Sequence, residues 1–191
     1  MSKEYLVLTA VGPDKVGTVE IISDVVTGHQ ANIEESRMAR LGGEFAVIMM
    51  LSLADEKLQP LLDALQTLQE KGLTITSSRT DLTRAFEFRG YVPYEISVFG
   101  ADHEGIVHRV SRYLAAEGIN VEEMETHVNP APNTGTPLFS MWAMVQAPPK
   151  LTRLRIQAGN VGFRSQSNYE FIRNSRHGSA HAVMSLDLNR I

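Results

Sequence analysis

The stretch GPDKVGTVEIISDVVTGHQANIEE at residues 12–35 returns 88 positions later as GADHEGIVHRVSRYLAAEGINVEE at residues 100–123. Eight positions are identical in place: Gly12/Gly100, Asp14/Asp102, Gly17/Gly105, Val19/Val107, Ser23/Ser111, Asn32/Asn120, Glu34/Glu122 and Glu35/Glu123. Most other pairs keep their apolar or polar character. An internal repeat constrains architecture before any local pattern does. A period this long means two small domains rather than stacked solenoid repeats. The 191 residues, 43% of them apolar, suffice for two separate cores.

Each repeat has a readable order of elements. In the first, the apolar residues 5–11 predict a strand. Val16, Val19, Ile22, Val25 and Val26 recur at helical spacing, which predicts a helix from Asp14 to about Gly28. Residues 33–40 form a weaker, mostly polar strand. Leu41-Gly42-Gly43-Glu44 is a hairpin turn, because paired glycines permit positive φ. Residues 45–53 are the richest strand candidate. Leu58, Leu61, Leu62, Leu65 and Leu68 make an amphipathic stripe over residues 55–71. Pro60 predicts that this helix starts close to it. Gly72 closes the helix, and residues 73–80 are a β-branched strand. The order is βαββαβ, the ferredoxin-like arrangement, and right-handed crossovers place both helices on one sheet face.

Residues 1–81 are thus a first domain, 82–92 a linker, and 93–191 a second domain. The second begins again with a strand at 94–99, a helix at 103–117 and a strand at 119–127. A long turn follows at 129–137 (NPAPNTGTP), then a strand at 138–146. Pro148-Pro149 precedes the expected second helix. Its leucine stripe breaks down after residue 157, and residues 182–188 are the candidate closing strand. The fold class is α+β: two ferredoxin-like units whose sheets pair edge to edge, which would cover open strand edges.

Composition excludes several classes of function. There is no cysteine, so disulfides, thiolate catalysis and cysteine-rich zinc sites are out. The N-terminus lacks a signal-peptide pattern, and the longest apolar run, residues 45–51, is far short of a membrane span. A soluble cytoplasmic protein with no membrane partner is expected. Residues 1–150 hold 12 Lys/Arg against 20 Asp/Glu, and residues 151–191 hold 6 Arg against 2 acidic residues. The acidic body repels a phosphate backbone, so no direct nucleic-acid binding is expected. An RNA-binding module shares the element order but would carry aromatics on its third strand in basic surroundings, unlike EFAVIMMLS or LFSMWAMVQ. Asp102, His103, Glu104 and His108 are poorly spaced for a chelate. No Ser–His–Asp pattern, phosphate-binding glycine loop or paired metal motif appears, so neither cofactor nor metal is expected. Phe139 and Trp142 read as core or interface residues.

The informative positions lie where strand 1 turns into helix 1. Asp14 and Asp102 either cap their helices or belong to a ligand turn. Gly17 and Gly105 lack the side chain that would keep another backbone or a small ligand away. A helix start offers free N–H donors to a carboxylate. Asn32 and Asn120 open strand 2 with an amide that can both donate and accept, or they simply terminate the helix.

The G-x-D-x-x-G turn, followed by a helix and then Asn-[Ile/Val]-Glu-Glu in a βαββαβ unit, resembles the ACT domain. The tandem pair, the APNTGTPLFSM hairpin and the overall length resemble the glycine cleavage system transcriptional repressor family. The likeness covers about residues 1–150. It implies a non-enzymatic regulatory pair of domains that binds a small effector, often an amino acid such as glycine. It also implies control of a separate transcription regulator by protein contact, without DNA binding by this chain. A homo-oligomer is expected. The resemblance suggests Gly12, Asp14, Gly17, Asn32, Gly100, Asp102, Gly105 and Asn120 as ligand-loop positions. The rival reading is an ACT accessory to a separate metabolic enzyme, since such units accompany catalytic domains in formyltetrahydrofolate deformylases.

Overall fold

A computed structural model describes residues 3–82, 87–149 and 180–181. The chain divides into two compact units between Glu87 and Phe88. In the first, β1 (Lys3–Pro13) leads to α1 (Thr18–Gly28), β2 (Asn32–Leu41), β3 (Glu44–Ala54), α2 (Asp55–Thr67), a 3-10 turn (Leu68–Lys71) and β4 (Thr74–Arg79). The hydrogen-bonded order is β2-β3-β1-β4, antiparallel throughout. This is the ferredoxin-like βαββαβ unit.

Alternation along the strands divides the sheet into two faces. Leu6, Leu8 and Ala10 of β1, with Val47, Met49, Leu51 and Leu53 of β3, are buried in one core with Ile22 and Val26 of α1 and Leu58, Leu61 and Leu65 of α2. The residues between them in the strands form the opposite, open face. Gly42 and Gly43 both take positive φ (60° and 90°), as a two-residue hairpin turn requires.

Two helix starts differ from the sequence reading. The expected helix at Asp14 begins at Thr18, with Gly17 at the cap position in the left-handed region (φ 91°). The glycine ends the turn, so Asp14 lies outside the helix. Conversely, α2 starts at Asp55 and keeps Pro60 inside it. Pro60 is on the exposed side, where the Glu56 carbonyl that loses its partner can bond water.

The second unit repeats the plan with β5 (Val92–Ala101), α3 (Ile106–Ala116), β6 (Asn120–Pro130) and β7 (Pro137–Ala147). Its sheet order is β6-β7-β5-β8, where β8 is Ala180–His181. Ile96, Val98, Met141, Ala143 and Val145 pack on Ile106, Val110 and Leu114 of α3. Here too the helix starts late, after a left-handed Gly105 (φ 82°), rather than at His103. The expected second helix and the candidate strand at 182–188 lie outside the described residues. The last described element, β8 (Ala180–His181), runs parallel to β5, whereas β4 runs antiparallel to β1. In both units the described helices lie on one sheet face, and the α+β class stands. Among the described residues no helix is long and apolar enough to cross a membrane.

Candidate functional site

Each candidate turn is a short bridge from the end of β1 or β5 to the following helix, tied to the neighbouring hairpin. The Asp14 N–H donates to the Gly43 carbonyl at 2.9 Å, and the Asp102 N–H donates to the Pro137 carbonyl at 2.9 Å. The same backbone anchor thus recurs in both repeats, although the hairpins differ in length. Past the anchor two residues follow, Lys15-Val16 in one unit and His103-Glu104 in the other, and the Lys15 carbonyl accepts from the Thr18 N–H at 3.2 Å and the Thr18 hydroxyl at 2.8 Å. The chain then reaches the left-handed glycine whose carbonyl accepts the first helical bond, from Ile21 in one unit and Arg109 in the other, each at 3.0 Å.

Neither helix has a side-chain cap. The capping role open to Asp14 and Asp102 is therefore not taken. Asp14 instead pairs with the Arg40 guanidinium, which reaches the turn from the far end of β2. Repeat position 40 becomes Val128 in the second unit, so this arrangement is not duplicated. There the guanidinium beside the turn comes from Arg109 on α3, with Nη2 at 2.9 Å from Nδ1 of His103. Its counterpart in the first unit is Ile21. Each turn therefore has one arginine beside it, drawn from non-equivalent positions.

The glycines divide by cause. A Cβ on Gly12 would lie 2.6 Å from the Gly72 carbonyl oxygen and 2.9 Å from Leu73 Cδ2, so packing demands this glycine. Gly17 and Gly105 are demanded by their positive φ. Among the described residues, a Cβ on Gly105 would meet nothing within 4 Å and one on Gly17 only Glu20 Oε2 at 3.6 Å, so both glycines border space that no described residue fills. Gly100 occupies the register position of Gly12, opposite Phe139 as Gly12 is opposite Phe45.

Asn32 and Asn120 are not beside the turn of their own unit. Asn32 pairs with Ser52, which also faces Tyr5 of β1, while Gly12 faces Phe45. Seven residues of strand separate the two levels, about 23 Å at roughly 3.3 Å per residue. Asn120 stands in the same relation to Gly100, opposite Gln146. At its own end of the sheet Asn32 belongs to a polar cluster around Glu34. The carboxylate accepts hydrogen bonds from Ser52, Lys3 and Asn32, which hold its pKa at about 2 against an ordinary 4.5. Lys3 Nζ lies 3.0 Å from it. The repeat keeps this contact in reduced form, with Gln146 Nε2 donating to Glu122 Oε1 at 3.0 Å.

Sequence reasoning missed Arg40, Arg109 and the Glu34 cluster. Arg40 could have been found, since a turn at Gly42-Gly43 fixes it opposite Phe45. Its approach to Asp14 depends also on the pairing of β1 with β3, which no local pattern reveals.

The turn, the sheet order and the duplicated unit define a tandem ACT protein, and the ACT domain family matches residues 4–78. The glycine cleavage system transcriptional repressor of Escherichia coli K12 is 33% identical over 138 residues, covering 69% of each chain. The Shigella flexneri protein of that name matches equally. A solved structure of an unknown protein from Galdieria sulphuraria is 37% identical, with a TM-score of 0.67 over 78% of this chain and 85% of its own. The chain belongs to the glycine cleavage system transcriptional repressor family.

Proposed function

We propose that this chain is a non-enzymatic regulator. In this reading it binds a small effector, an amino acid such as glycine, at the β1–α1 and β5–α3 turns and controls a transcription regulator by protein contact. The observation that carries the reading is the duplicated turn: anchored at one end, capped by a left-handed glycine, and bordered by space that no described residue fills. The free N–H groups of the helix start and one nearby guanidinium suit a carboxylate. The name of the Escherichia coli relative supports a role in transcriptional control.

Gly12, Asp14, Gly17, Gly100, Asp102 and Gly105 shape the turns in this reading. Asn32 and Asn120 join them only across a sheet edge. β2 is an edge strand exposed along its length. Antiparallel pairing of β2 with β2 of a second copy sets the Asn32 end of one strand beside the Leu41 end of the other, and so beside the Asp14 turn. The expected homo-oligomer then completes the site and covers the open edge. Effector occupancy shifts the exposed surface by its differential affinity for two states, about 1–3 kcal/mol.

Calorimetry of the native assembly against the twenty amino acids tests the effector. Heat from one or a few small amino acids is the expected result. Silence from all twenty contradicts the reading.

A further inference from the structure

The duplication supplies an internal control for what the fold itself requires. On the open face of the first sheet, the rows across β1, β3 and β2 are Val7–Met50–Glu35, Thr9–Ile48–Arg37 and Val11–Ala46–Ala39. The same rows across β5, β7 and β6 are Glu95–Met144–Glu123, Ser97–Trp142–Glu125 and Phe99–Ser140–His127. The register is the same in both, yet valine has become glutamate, arginine glutamate, isoleucine tryptophan and valine phenylalanine. The first unit builds the same sheet without these residues, so folding does not call for them.

The second face is also chemically distinct. Strands β5, β6 and β7 hold four glutamates and no lysine or arginine. β1 and β2, by contrast, hold three cations, Lys3, Arg37 and Arg40, among their acidic residues. Phe99 is 53% exposed and Leu138, one row further on, 41%. Trp142 is half-buried at the centre of the face. Aromatic side chains with acidic neighbours favour an apolar partner that carries positive charge.

We propose that the open face of the β5–β6–β7 sheet is a docking surface for a basic protein segment in which arginine or lysine is interspersed with apolar side chains. The apolar groups lie over Phe99, Trp142 and Leu138, and the cations meet the exposed Glu125 within the acidic field of these strands. This deepens the proposed function, on which it rests, by assigning the surface through which the protein contact is made.

Trp142 is the only tryptophan, so its emission reports on this face alone. The full chain is titrated with a short synthetic peptide alternating arginine and leucine, and with its counterpart carrying glutamate in place of arginine. The arginine peptide is expected to shift Trp142 emission and the glutamate peptide to leave it unchanged. Glu125→Arg, the residue tolerated at this register in the first unit, is expected to weaken binding about tenfold. Glu125→Gln weakens it less, and the control Glu56→Arg on α2 leaves it unchanged. Equal response to both peptides, or a Glu125→Arg chain that binds as the wild type does, overturns the proposal. A change in Trp142 emission on dilution alone overturns it too, because a second copy then covers the face. Amino-acid calorimetry on the same samples separates the two readings. Heat without a peptide response defeats only the docking surface, and a peptide response without heat defeats only the effector.

Discussion

Replacing Gly12 with alanine tests whether this glycine is a packing requirement. The added Cβ would sit 2.6 Å from the Gly72 carbonyl oxygen and 2.9 Å from Leu73 Cδ2. Leu73 can turn its side chain aside, but Gly72 cannot move cheaply. It holds the left-handed C-cap of the 3-10 turn at φ 88°, and its N–H donates to Gln69 at 2.9 Å. Relief therefore has to come from separating β1 from the start of β4, where Val11 pairs with Thr74. Overpacking of this kind destabilises by about 1–3 kcal/mol. For a unit of this size each kcal/mol lowers Tm by about 4–8 °C. Thermal unfolding of the full chain by far-UV circular dichroism, with amide hydrogen exchange resolved at β1 and β4, is the assay. The expected outcome is a lower first transition with faster exchange at residues 9–11 and 74–76. A Gly12→Ala chain as stable as wild type, with unchanged exchange there, refutes the packing explanation.

Gly17→Ala and Gly105→Ala act through backbone strain instead. Each is expected to lose about 1–2 kcal/mol in urea unfolding, since neither alanine meets a close neighbour among the described residues. Leu61→Ala removes a fully buried side chain from the α2 stripe and is expected to lose about 2–5 kcal/mol by the same measurement. Glu34 has a lowered folded-state pKa, so its contribution is complete above the unfolded value near 4.5. That contribution fades as pH falls towards 2. Carboxyl NMR titration should place Glu34 near 2 in the wild type and visibly higher in Ser52→Ala, which removes its strongest hydrogen bond. Arg40→Gln breaks the Asp14 pair, whose cation is 70% exposed, and should change stability by less than about 1 kcal/mol.

Much of the fold could be read because its signals are periodic. The leucines of α2, the long apolar run of β3 and the paired glycines of the first hairpin each have a strong local signature. The repeat then carried the assignment of the first unit over to the second. Helix starts were less legible. Asp14 has the chemistry of a cap, but the left-handed conformation at Gly17 delays the helix to Thr18, and a dihedral angle is not written in residue type. Pro60 misled in the other direction, because its effect depends on whether the carbonyl it orphans faces water. The candidate site was legible as a turn but not as a constellation. Glycine, aspartate and asparagine recur together in the sequence, yet strand register puts Asn32 and Asn120 at the far end of each sheet. Arg40 and Arg109 occupy non-equivalent repeat positions, with Val128 and Ile21 at the corresponding places in the other copy, so the pattern of matched residues contains neither.

Backbone amide NMR at the two turns tests the central claim most directly. On adding the amino acid that gives calorimetric heat, shifts should concentrate at residues 14–18 and 102–106, with smaller changes at Asn32 and Asn120. The same spectra of a Gly17→Val, Gly105→Val double variant should not respond. Shifts confined to other surfaces, or a double variant that responds as fully as the wild type, would contradict the assignment of these turns as the effector site.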